Sequence, residues 1–119
     1  MVFDHTSIDH VDSLSNSDIT AARIIRMMFR RASVGGNISF GLDTLQTQNA
    51  VYNRSNWDFQ NRGNPGSTAK VDDFVQQVPV QLNSFDVFSM KFCYIDLDVN
   101  WVYYRDHMLQ LESQYPGKK

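Results

Sequence analysis

The sequence predicts an α/β domain, a parallel sheet covered by helices, and three observations predict it. Short apolar segments alternate with segments of helical periodicity. The strongest strand, at residues 86–95, is nearly continuous in apolar residues, as a strand covered on both faces is. The order strand, helix, strand, helix calls for crossover connections between parallel strands. At 119 residues the chain has the size of a single domain, 1–119.

Residues 1–16 are polar and turn-prone and read as an irregular N-terminal segment. Ser17 or Asp18 then caps a short helix running through Ala22. The run Ile24-Ile-Arg-Met-Met-Phe29 fits either a buried strand or a continued helix. Strand is favoured, because Ser33-Val-Gly-Gly-Asn37 interrupts the chain before Ile38, Leu42 and Leu45 set a helical stripe. Residues 50–53 read as a short strand, and 54–66 as a long polar loop. The Trp57-Asp-Phe59 cluster in that loop is either a lid or contact patch, or a segment folded back on the core.

Ser67 or Thr68 caps the next helix, whose stripe is Val71, Phe74, Val75 and Val78 and which Pro79 ends or kinks. Asp72 and Asp73 lie near its positive end. In the strand at 86–95, Lys91 is the charged exception and Cys93 reads as a small core residue. Beyond Asp96-Leu-Asp98, residues Trp101, Tyr104, Met108, Leu111 and Tyr115 share one helical face, closed by Pro116-Gly117. A doubly wound sheet normally has more strands than this, so the expectation is a partial domain.

Composition narrows the function classes. Eleven Lys and Arg against 13 Asp and Glu give a net charge of -2, without the basic excess that nucleic-acid binding needs. Arg23, Arg26, Arg30 and Arg31 are the one basic cluster and read as a solvated or acid-facing rim. The single Cys93 rules out an internal disulfide and a cysteine-based zinc site. No apolar stretch is long enough to span a bilayer, and the first residues lack the features of a signal peptide, so no membrane is expected and cytoplasm is the default. Asp96 and Asp98 read as oxygen ligands for a cation or as helix caps, and two carboxylates are too few to carry a metal; no cofactor is expected.

In open parallel sheets ligands bind beyond the carboxyl ends of the strands. There Ser33 precedes Gly35 and Gly36 at a helix start, where small residues let backbone N–H groups approach developing negative charge. Two readings are open: Ser33 is an acyl-transfer nucleophile, or it is an N-cap. A nucleophile needs a base, and the histidines are His5, His10 and His107, none with diagnostic spacing.

Phe29-Arg-Arg-Ala-Ser33-Val-Gly35-Gly-Asn37-Ile resembles the first block of divergent SGNH/GDSL-type hydrolases, in which Phe-x-His-x-Ser-x-Gly follows the first strand. The Asn61-Arg-Gly63-Asn-Pro loop and Val87-Phe-Ser-Met-Lys-Phe-Cys-Tyr-Ile-Asp96 extend the likeness, which runs from about Arg23 onward. The resemblance implies a flavodoxin-like three-layer α/β/α fold and hydrolysis of a small-molecule ester, such as a carbohydrate acetyl ester, through an acyl-serine. Ser33 falls on the nucleophile, and Gly35 and Gly63 on the oxyanion site. Arg31 stands where such members often have His, and the family's Asp-x-x-His block has no counterpart here, so the chain as given is expected to be inactive. The alternatives are a noncatalytic flavodoxin-like module holding an anion at the Ser33 loop, and an interaction module, homo-oligomeric through an exposed sheet edge.

Overall fold

A computed structural model describes residues 13–96 and 98–119. Helix α1 (Asn16–Ile24) leads into strand β1 (Met27–Arg31), followed by α2 (Val34–Gln48), β2 (Trp57–Asn61), α3 (Ser67–Gln81), β3 (Val87–Met90) and α4 (Trp101–Gln114). The three strands form a parallel sheet in the order β2-β1-β3, with Met27 opposite both Trp57 and Val87. This is the opening strand order of a flavodoxin-like sheet, and helices flank it on both faces.

Side chains of β1 alternate between those faces. Met28 packs with Phe74 and Val78 of α3 and Leu111 of α4, and Arg30 pairs with Asp73 of α3. On the other face, Phe29 meets Phe59 of β2 edge-on, and Arg54 stacks on Phe59 while bonding Ser39 and Asp43 of α2. The core therefore sits mainly between the sheet and the α3–α4 layer.

Several boundaries differ from the sequence expectation. Ser15, not Ser17 or Asp18, caps α1: its side chain accepts from the Asp18 N–H and its own N–H donates to the Asp18 carboxylate. That box starts a helix running to Ile24, so β1 begins at Met27. Residues 1–12 of the predicted irregular N-terminal segment lie outside the described residues, as do His5 and His10. Residues 50–53, expected as a strand, form a 3₁₀ turn over Ala50–Tyr52, with Asn49 accepting from the Val51 N–H.

The predicted loop at 54–66 contains β2 instead. Its Trp-Asp-Phe-Gln alternation is a strand period, and on its polar side Asp58 is exposed while Gln60 is half-buried and bonded. Gln60 accepts from Arg30 and donates to Gln81 of α3, so a hydrogen-bond layer replaces the apolar contacts a strand usually makes. The strand predicted over 86–95 stops at Met90, because Asp96 takes the Cys93 N–H and draws the following residues into a turn. Pro79 lies in the last turn of α3, which ends two residues later, at Gln81.

In α2 the buried residues are Gly35 and Ser39, while Ile38 and Leu45 of the expected stripe are exposed. In α4, Leu111 is buried, Tyr104 and Met108 are half-buried on the expected face, and Asn100 supplies the cap. Beside that face a cavity of about 240 Å³ opens between Phe74, Val78, Phe88 and Met108, with Glu112 and Lys118 also lining it. It contains no residue of the Ser33 loop and belongs to the core. The outer edge of β3 is partly covered by Lys119, whose N–H donates to the Asp86 carbonyl and whose carbonyl accepts from Phe88. No helix of the described residues is long and apolar enough to cross a membrane.

Met28 is completely buried at the centre of the sheet. Met28→Ala is expected to cost about 2–5 kcal/mol, measured by urea denaturation. A change below about 1 kcal/mol would show that the α3–α4 layer does not close over β1 as described.

Candidate functional site

The three strands run parallel, so Ser33, Gly63 and Lys91 all follow carboxyl ends and lie at one edge of the sheet. Backbone bonds tie their approaches together: the Arg62 N–H donates to the Arg31 carbonyl at 3.0 Å, and the Lys91 N–H to the Arg30 carbonyl at 3.4 Å. Arg62 also reaches across β1 to donate from its guanidinium to the Lys91 carbonyl.

Ser33 occupies the N-cap position of α2 with φ 50° and ψ −120°, and its side chain makes no cap hydrogen bond. A capping serine is normally extended, so the cap explanation does not hold for this residue. A non-glycine residue at this φ and ψ lies outside the regions open to L-residues and carries about 1–3 kcal/mol of strain. Among the described residues it is the one non-glycine with positive φ. The turn is held from both sides: the Gly36 N–H donates to the Ser33 carbonyl at 2.6 Å, and the Gly35 N–H to Ala32 at 3.0 Å.

Gly35 is required by close approach. A Cβ there would stand 2.6 Å from the Arg31 Cβ and 3.2 Å from the Lys91 Cδ, so helix α2 sits directly on the ends of β1 and β3. Gly63 has φ 73°, and its N–H donates to the Asn61 Oδ1 at 3.1 Å. Both glycine amides therefore already have acceptors within the chain. The amide after the serine, that of Val34, makes no hydrogen bond among the described residues and is the donor left open beside Ser33.

His107 is not drawn to this edge. Its Nδ1 lies 2.8 Å from the Tyr103 carbonyl of its own helix, and its ring rests 4.1 Å from the Tyr103 ring. No histidine is hydrogen-bonded to Ser33 among the described residues.

Asp96 is neither a helix cap nor part of a metal-binding group among the described residues. Its Oδ2 accepts from the Lys70 ammonium and from the Cys93 N–H, with both charged side chains almost fully buried. Burial pushes the Asp96 carboxyl up, but the Lys70 bond, the Cys93 N–H and the nearby Arg62 outweigh it and hold it below the usual range. Cys93 is buried in this loop as a free thiol, 3.6 Å from the Lys91 ammonium. Lys70 was not singled out from the sequence, although it shares the inner face of α3 with Ser67, Val71, Phe74 and Val78. A lysine between apolar positions at helical spacing was the available signal. Asp98 accepts from Ser67 at the start of α3.

Comparison with protein-family models, curated proteins and solved structures finds no match to this chain.

Two expectations follow from this geometry. Ser33→Gly should raise stability by about 1 kcal/mol, since glycine relieves the strain at positive φ, whereas Ser33→Ala should not. Thermal unfolding of the two variants side by side checks this, and equal melting temperatures would contradict it.

The second concerns acid. Asp86, bonded by the Arg26 guanidinium, titrates at about 2, and Asp96 is also lowered. Both folded-state values lie below the unfolded aspartate value of about 4. Their stabilising contribution is therefore complete above about pH 4 and is lost as the pH falls toward about 2. Asp96→Asn, which leaves Lys70 buried without a counter-charge, should cost about 3–5 kcal/mol at pH 7 and flatten the acid limb. Unfolding curves between pH 2 and 7 read both effects.

Proposed function

We propose that this chain carries the nucleophile of an SGNH-like serine ester hydrolase, with Ser33 attacking a small-molecule ester, a carbohydrate acetyl ester being the first class to try. The observation that carries the reading is the strained strand-to-helix turn at Ser33, whose side chain makes no cap bond. Strain at a single polar residue persists where surrounding structure enforces it, and such residues cluster at reactive sites. A serine on a sharp turn between a parallel strand and a helix is also how other serine hydrolases present Oγ above a sheet.

In the reaction Oγ bonds to the ester carbonyl carbon, the alcohol leaves with the Oγ proton, and water then cleaves the acyl-serine to release the acid. The N-terminus of α2 and the open Val34 amide favour the oxyanion formed on the way. Because no histidine is bonded to Ser33 among the described residues, turnover by this chain should be slower by several orders of magnitude than that of a complete triad.

A fluorophosphonate, which loses fluoride to an activated serine, should modify Ser33, as located by peptide mass mapping, and Ser33→Ala should abolish the modification. A folded chain that takes up no label at Ser33 would overturn the hydrolase reading.

A further inference from the structure

We propose that the substrate of this site carries an anionic group, carboxylate or phosphate, beside the bond to be cleaved, and that Arg31, Arg62 and Lys91 hold it. The proposal rests on the hydrolase reading for the word substrate; the anion site itself stands on the arrangement of the three cations.

All three lie at the carboxyl edge of the sheet, one at the end of each strand. They are drawn together by the Arg62 bonds to the backbone of Arg31 and Lys91. The Arg31 and Lys91 stems pack against the place where a Gly35 Cβ would be, and an Arg31 terminal nitrogen lies 3.2 Å from the corresponding point at Gly36. The first turn of α2 is thus lined by two cations where the helix dipole is already positive. Like charges gathered at a helix N-terminus repel unless an anion joins them.

Among the described residues the protein supplies none. Arg26, Arg30, Arg54, Lys70, Arg105 and Lys118 each have a carboxylate partner, whereas Arg31, Arg62 and Lys91 form no ion pair among the described residues. The acids that face Arg62 are Asp73 and Asp96, already engaged by Arg30 and Lys70. Asp98 is turned to Ser67. Among the described residues Arg31 makes no side-chain hydrogen bond, Arg62 gives its two terminal nitrogens to the Gly63 and Lys91 carbonyls, and each keeps a buried Nε without an acceptor. Among the described residues the Lys91 ammonium has only the Cys93 sulfur, at 3.6 Å.

The Arg31 guanidinium, beside the start of α2 and without a bond among the described residues, fits an oxygen-rich anion, which accepts in forked pairs. A neutral ester would leave Arg31 and Lys91 without a counter-charge.

The test uses Ser33→Ala, so that binding is read without hydrolysis. Inorganic phosphate and succinate, each titrated at constant ionic strength against chloride, should raise its melting temperature in a saturable way. The stronger ligand then tells phosphate from carboxylate recognition. Arg31→Gln and Lys91→Met should each weaken the better anion roughly tenfold, in keeping with loss of one charge-assisted bond. Should Arg31→Gln fail to fold, Lys91→Met and Arg31→Lys are read in its place, the latter keeping charge but losing the fork.

The same anion should slow fluorophosphonate labelling of the wild-type chain. A folded Ser33→Ala chain that neither anion stabilises beyond chloride, or binding unchanged in the Arg31 and Lys91 variants, overturns the proposal. Anion binding without labelling at Ser33 would retain the anion site and remove the hydrolase; labelling that no anion affects would do the reverse.

Discussion

β1 is hydrogen-bonded to a parallel strand on each side, and this central position constrains the rest of the molecule. A parallel neighbour can be reached only by a crossover, and right-handed crossovers to opposite sides of one strand place their helices on opposite faces of the sheet. Hence α2 lies against the Phe29 and Arg31 side of β1, while α3 closes over Met28 and Arg30. The same geometry delivers all three strand ends to one edge. Ser33, Arg62 and Lys91, far apart in the chain, become neighbours for no reason local to any of them.

Polar contacts complete this architecture where apolar ones are sparse. On the α3 face, Arg30, Asp73, Gln60 and Gln81 form a bonded layer between sheet and helix. Below the edge that carries Ser33, the Lys70–Asp96 pair is sealed from solvent and also takes the Cys93 N–H, ending β3 and turning the chain toward α4. A buried ion pair contributes little net stability against an apolar alternative, yet removing one partner is costly. Its role here is positional: it fixes the loop that follows β3, and with it the departure of Lys91 and Cys93 from the sheet.

Strain at Ser33 sits on the same edge as Arg31, Arg62 and Lys91, which form no ion pair among the described residues. An extended serine or a glycine would make the turn more cheaply, and neutral residues would remove the repulsion around the start of α2. Local rules broken together in one place are the pattern expected where a protein handles a ligand.

The sequence by itself determined the fold class, the helices on the Val71–Val78 and Trp101–Tyr115 stripes, and Ser33 at a strand-to-helix junction, because these depend on periodicity and on small residues at fixed offsets. It also contained β2 as a Trp-Asp-Phe-Gln alternation, but polar residues on a strand read as loop until Arg30 and Gln81 are seen to satisfy them. The length of β3 was out of reach for a similar reason: an apolar run does not reveal that a carboxylate, Asp96, ends its pairing from outside. Lys70 carried no reading from the sequence, and its burial was decided by that same carboxylate. The loss of the Ser33 cap bond and the gathering of three unpaired cations were decided only by tertiary structure, since both arise where strand ends meet a helix start and no single segment encodes that meeting.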